Sequence, residues 1–161
     1  MEDARFVVEI SAADKFLPSG RDCVTYLFTA NRTATPTAVE RVASGGELSR
    51  IMLSLKSLLA QRKRLPTVIF DEIDTGVSGR IADAMGDIIA NLSEVLQVID
   101  ITHLPQVASK PGTHFVVYKE EGRTYLRRLT DEERETEIAK MLSGAEITEA
   151  ARAQARILLG R

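Results

Sequence analysis

Residues 5–10 and 23–28 are dense in β-branched and aromatic side chains, which predicts two strands. Leu17-Pro18-Ser19-Gly20 between them supplies turn chemistry, so they read as a hairpin or as neighbouring antiparallel strands. Residues 31–40 are polar, contain Pro36 and read as a connecting loop. Apolar positions then recur at helical spacing at Ile51, Met52, Leu55, Leu58 and Leu59. The helix they predict is entered at Ser44-Gly45-Gly46-Glu47, and it closes with Arg62-Lys63-Arg64 and Pro66. Thr67-Val68-Ile69-Phe70 is a short apolar run of the kind buried on both faces of a parallel sheet, and it stops at Asp71-Glu72. Residues 81–92 predict a second helix and 95–101 a second buried strand, a succession that implies a parallel crossover. Residues 115–118 and 124–129 flank a turn at 119–123 and predict another hairpin. Two helices, over about 131–142 and 146–159, close the chain with Ser143-Gly144 between them.

Composition narrows the class. With 161 residues, 44% hydrophobic and 27% charged, the chain can bury a core and stay soluble, which excludes disorder and fibrous repeats. Lys and Arg total 21 against 23 Asp and Glu, a formal charge of -2, so the chain lacks the footprint of an autonomous DNA-binding module. Arg62-Lys63-Arg64 and Arg127-Arg128 read as solvated surface charge, and the acidic run at 131–135 suits a helix start without any ligand. The single Cys23 makes no internal disulfide, which fits a reducing cytoplasm. No apolar run is long enough to span a bilayer, and the N-terminus is not a signal peptide. The expectation is a soluble cytoplasmic protein with no membrane partner.

Three short motifs carry chemistry. Asp71-Glu72 ends a buried strand, and in parallel sheets ligands bind at that edge. There an Asp can hold Mg²⁺, often through water, and the adjacent Glu can orient or deprotonate an attacking water. Ser44-Gly45-Gly46-Glu47 opens a helix with bare backbone N–H groups, an arrangement that favours a phosphate. His103 follows the second buried strand directly and is placed on the same edge. Each motif also has an ordinary reading: solvated carboxylates, a capping box of Ser44 with Glu47, and a structural histidine, as His114 is read to be.

In this order and spacing, the motifs together resemble the C-terminal half of an ABC-type ATPase head. Ser44, Gly45, Gly46 and Glu47 resemble the signature motif. Residues 67–72 resemble Walker B, Thr75, Gly76, Val77 and Ser78 the D-loop, and His103 the switch histidine. Asp74 departs from the transporter pattern and is closer to SMC-type proteins. The strings at 42–53, DEIDTGVSG at 71–79 and THLPQVA at 102–108 are similar to the bacterial RecN family, with the likeness strongest over 42–108.

The resemblance implies an α/β fold, the P-loop NTPase-like C-terminal lobe of an ABC/SMC-type head, with a mostly parallel sheet, flanking helices and antiparallel hairpins. Within 1–161, it divides the lobe into strands and loop (1–40), signature and helix (41–66), Walker B, D-loop and switch histidine (67–110), and hairpin with C-terminal helices (111–161). It also implies ATP and Mg²⁺ as ligands, Asp71 toward the metal, Glu72 and His103 as catalytic, and the signature and D-loop as nucleotide-binding. The signature would act in trans, from a second head of a homodimer. No G-x-x-x-x-G-K-[ST] occurs, so the P-loop is expected on an N-terminal half outside this chain, and the chain alone is expected to be inactive. The implied role is DNA double-strand-break repair and recombination, nucleoid-associated, with DNA met by the full-length protein. The alternatives are the nucleotide-binding subunit of an ABC transporter, where Gln is usual at the position of Glu47, and a non-catalytic dimerisation module.

Overall fold

Strand β1 (Arg5–Leu17) and strand β2 (Gly20–Thr29) form a long antiparallel hairpin, joined to the two-residue β3 (Thr37–Ala38) and a 3-10 turn at Val39–Arg41. The computed structural model describes residues 3–41, 45–144 and 146–161. β1 runs well beyond the apolar segment at 5–10, because Ser11 and Ala12 still pair with Cys23 and Asp22 before the register shifts near the turn. Only the base of this hairpin is buried, at Phe28 and Thr29. β3 and the 3-10 turn interrupt what the sequence reads as plain loop.

Helix α1 (Gly45–Lys63), strand β4 (Thr67–Asp71), helix α2 (Gly79–Ser93) and strand β5 (Gln97–Ile101) build the central unit, and β4 and β5 pair in parallel as expected. α2 turns Ala82, Met85, Gly86, Ile89 and Leu92 to one side, the spacing of a single helical face. That face meets Phe70, Ile73, Val77, Val107 and Leu53 of α1 in the main core. The turn after β5 leads into α3 (Pro105–Ala108), a single helical turn begun by proline at its first position, where the missing N–H is harmless. Val107 of α3 enters the main core and Ala108 enters a second one, with Ile138, Ala139, Ala151 and Ala155.

That second core joins α4 (Asp131–Ser143) to α5 (Glu149–Leu158). The expected acidic helix start is a full capping box, in which Thr130 and Glu133 satisfy each other's backbone N–H. The hairpin of β6 (Phe115–Glu120) and β7 (Arg123–Arg128) closes through Glu121 and Gly122, both at positive φ (47° and 77°), as a tight two-residue turn requires.

One expectation is corrected. β4 and β5 are buried on one face only: Phe70 is fully buried, while Ile69 beside it is 60% exposed and shares the open face with Ile99 and Ile101. The parallel sheet is a two-stranded ribbon, and among the described residues nothing lies over its second face. Strand alternation sends every other side chain to that face whether or not this chain covers it.

Candidate active site

The parallel register puts Asp71 opposite Ile101, so the tips of β4 and β5 stand side by side, with Glu72 after one and Thr102-His103 after the other. The Glu72 N–H donates to the Ile101 carbonyl at 3.0 Å, carrying the ladder one step beyond the strand. There the backbone turns sharply: Glu72 has φ 47°, a left-handed conformation unusual for a residue with a side chain. The Glu72 carbonyl accepts from the Thr75 N–H at 3.2 Å and from the Thr75 hydroxyl at 2.8 Å, and the Asp74 carbonyl accepts from the Val77 N–H at 3.2 Å. These bonds pin the turn, so the strain at Glu72 is held by its surroundings. Asp71 and Glu72 both remain exposed, as carboxylates must be to meet a hydrated cation or a water.

The first turn of α1 packs directly on this loop. A Cβ on Gly46 would fall 2.5 Å from the Gly76 carbonyl oxygen and 3.2 Å from Val77 Cγ1, so only glycine fits there. Ser49 Oγ donates to the Thr75 carbonyl at 3.0 Å, and Arg50 Nε donates back to the Gly46 carbonyl at 3.1 Å. Gly46 is therefore a buried packing residue, while Gly45 stands open, with nothing within 4 Å of the place a Cβ would take. Glu47 is half-buried beside it, and Ser44 lies outside the described residues. Of the loop residues, Thr75 and Gly76 are exposed, Val77 belongs to the core, and Ser78 is exposed at the N-cap of α2 without a side-chain cap bond.

Beneath the strand tips, Asp74 is 1% exposed. Its Oδ2 accepts a short bond from Thr102 Oγ1, which in turn accepts from the Leu104 N–H at 3.0 Å. Its Oδ1 lies 3.8 Å from His103 Nδ1. Asp100 sits near it, and burial first, then the charge of Asp74, pushes its pKa up to about 6. The contacts of Asp74, Thr102 and Ser49 were not legible as site features. The signal for Asp74 was its likeness to the SMC-type pattern, which says nothing of what it contacts. His114, by contrast, is half-buried, and burial followed by the charge of Arg134 holds its pKa below the usual histidine range.

The structure thus brings Asp71, Glu72 and His103 to one sheet edge and sets the start of α1 against the loop that follows Glu72. A surface depression lined by Ala60, Arg64, Pro66 and Leu96 lies at the opposite end of the ribbon, away from these groups.

Comparison with known proteins decides the family. No protein-family profile matches the chain. The DNA repair protein RecN of Rickettsia typhi is 42% identical over 163 residues, covering 99% of this chain. By sequence, the chain is a RecN-family segment. It spans 29% of that RecN relative, less than a third of its length. Among solved structures, the Smc head domain with a coiled coil and joint from Pyrococcus yayanosii superposes with a TM-score of 0.68 at 19% identity, over 87% of this chain and 26% of that one. A structure described under ATP-driven dimerization and DNA-stimulated activation of SMC ATPases gives a TM-score of 0.65 at 18% identity, over 86% of this chain and 84% of that one. At such identities the likeness establishes the fold, and the fold is that of an SMC head. Among the described residues, no helix is long and apolar enough to cross a membrane.

Proposed function

We propose that the chain is one half of the ATPase head of a RecN-type protein acting in DNA double-strand-break repair and recombination, which binds and hydrolyses ATP between two heads once joined to its P-loop half. The observation that carries this reading is the convergence of Asp71, Glu72 and His103 on one sheet edge, with the start of α1 locked to the adjoining loop.

Asp71 and Glu72 are exposed, hard oxygen donors at a strand tip, a donor set that suits Mg²⁺, and Asp71 would hold it. The metal would neutralise charge developing on the phosphates. Glu72 polarises the attacking water and His103 reaches toward the terminal phosphate or that water. Gly45, open at the N-terminus of α1, and Ser44 present the signature turn to the nucleotide of a second head. Gly46 and Gly76 couple that turn to the D-loop, so the two move as one body.

The uncovered face of Ile69, Ile99 and Ile101, together with Leu48, Met52, Leu55 and Leu59 along α1, supports an N-terminal half packing here. That half belongs to the more than two thirds of the RecN relative lying outside the matched segment. DNA is met by the assembled protein, with ATP-driven head dimerisation closing the grip and hydrolysis releasing it. The chain's near-neutral charge does not mark a DNA surface of its own. We assign the protein to the cytoplasm, on the nucleoid.

Glu72→Gln in the full-length protein tests the reading. It should keep ATP binding, lose hydrolysis by at least about 100-fold, and accumulate an ATP-dependent dimer visible by analytical ultracentrifugation. Wild-type turnover in that variant would refute it.

A further inference from the structure

Asp74 is the one fully buried acidic side chain among the described residues, and no Lys or Arg ion pair with it is formed there, His103 being its one basic neighbour. A buried carboxylate without a counter-charge is unfavourable and persists where the charge has a task. Anchoring the loop is not a sufficient task. The bond from Thr102 occupies Oδ2 alone, and a neutral amide oxygen would accept it equally well. The second oxygen, Oδ1, is buried and has no hydrogen-bond partner. Asp100, the nearby carboxyl, does not serve it either, since its own Oδ1 is likewise without a partner. The group facing Asp74 Oδ1 is His103 Nδ1, at 3.8 Å, on a ring whose remaining surface is largely open.

We infer that Asp74 is a positioning residue for His103, its Oδ1 receiving the imidazole Nδ1–H and leaving Nε2 as the unprotonated atom that accepts a hydrogen bond from the attacking water. The inference deepens the ATPase reading and rests on it. The separation of 3.8 Å is longer than a hydrogen bond, and a small rotation of the exposed ring closes it when a nucleotide fills the edge. The two protons of the water are then divided, one toward Glu72 and one toward His103 Nε2, which orients its lone pair along the line of attack. Which nitrogen of a histidine carries the proton is set by what the other nitrogen meets, and a carboxylate accepts only. Thr102 completes the device, since it fixes the rotation of the Asp74 carboxylate and with the same hydroxyl holds the N–H of Leu104, the residue preceding α3.

Asp74→Asn separates this task from loop anchoring. The amide oxygen keeps the bond from Thr102, while its NH₂ faces Nδ1 and drives the ring into the opposite tautomer. In the full-length protein, kcat for ATP hydrolysis should fall by about 10- to 100-fold with KM for ATP unchanged within about twofold. On a His103→Ala background, the same substitution should change kcat by less than about twofold, because the residue it acts through is gone. ¹⁵N spectra of histidine-labelled protein should show the His103 signals, identified by their loss in His103→Ala, exchanging the protonated nitrogen from Nδ1 to Nε2. An unchanged or raised kcat in Asp74→Asn, or an equal fall in both backgrounds, would overturn the inference and leave the ATPase reading standing. A His103→Ala protein with wild-type kcat would overturn the inference and the catalytic role given to His103, whereas a full-length wild-type protein without ATP turnover would overturn the ATPase reading itself.

Discussion

Replacing Gly46 by alanine isolates the contact between the start of α1 and the loop at 75–78. The added Cβ would lie 2.5 Å from the Gly76 carbonyl oxygen, about 0.9 Å inside the 3.4 Å at which ordinary contact begins, and 3.2 Å from the Gly76 carbonyl carbon and Val77 Cγ1. The obstructing atoms are mainly backbone, so no side chain can swing away, and α1 or the loop must shift. Overpacking of this kind costs about 1–3 kcal/mol, and the better helix propensity of alanine returns at most about 1 kcal/mol. The net expectation is a loss of about 1–2 kcal/mol, read by hydrogen exchange of the α1 and 75–78 loop amides in the full-length protein. A displacement near 1 Å at that point should also lower kcat by about 100-fold. Gly45→Ala is the internal control. Nothing lies within 4 Å of its added Cβ, so its exchange protection should match wild type within about 0.5 kcal/mol. Equal protection in the two variants would refute the packing role given to Gly46.

Other expectations concern charge, coupling and the proposed N-terminal half. Asp100 has its folded pKa raised to about 6, so the folded state holds that proton more tightly than the unfolded chain. Its contribution is therefore most favourable below about pH 4 and is lost as pH rises to 6. Asp100→Asn should leave stability unchanged below pH 4 and raise it by about 1 kcal/mol above pH 6, after allowing for partial solvent screening, as read by exchange of the β4–β5 amides. Buried Arg134 donates to the carbonyls of Ser109, Pro111 and Gly112, and Arg134→Met should loosen the α3–α4 junction by about 2 kcal/mol in the same experiment. Ile69→Glu changes a side chain that is 60% exposed here, yet under the proposed function it should cost the full-length protein about 2 kcal/mol or more and impair ATP binding, because the proposed N-terminal half would cover it. The purified 161-residue chain should show ATP turnover indistinguishable from background and should self-associate through that same face in light scattering.

The parts of the fold that local patterning determines were legible in the sequence. Phe70 ends an apolar run against two carboxylates, and the 3–4 spacing from Ala82 to Leu92 marks one helical face, so β4, α2 and β5 emerge with their parallel pairing. Asp71, Glu72 and His103 could be placed on one edge for the same reason, since parallel strands joined by a helix end together. What was not legible depends on contacts distant in sequence. Ile69 and Ile99 carry the same apolar signal as Phe70, and periodicity does not record which chain covers a face. Gly46 read as a donor of bare N–H groups, and only its distance to Gly76 reveals the steric requirement. Asp74 was visible as an SMC-like feature, but its burial and its bond from Thr102 join residues 28 positions apart.

The proposed sharing of the site between two heads is tested most directly by mixing two full-length variants, Glu72→Gln and Ser44→Arg. Each destroys one side of every nucleotide site, so neither should turn over ATP alone. In a mixed dimer, the intact strand tip of one molecule meets the intact signature of the other, and equal mixing of independently acting sites should restore roughly a quarter of wild-type activity. Recovery of that order, rising and falling with the mixing ratio, is the expected result. Mixtures that stay inactive while mixed dimers form, or a Ser44→Arg protein that is fully active alone, would contradict a site shared between two heads.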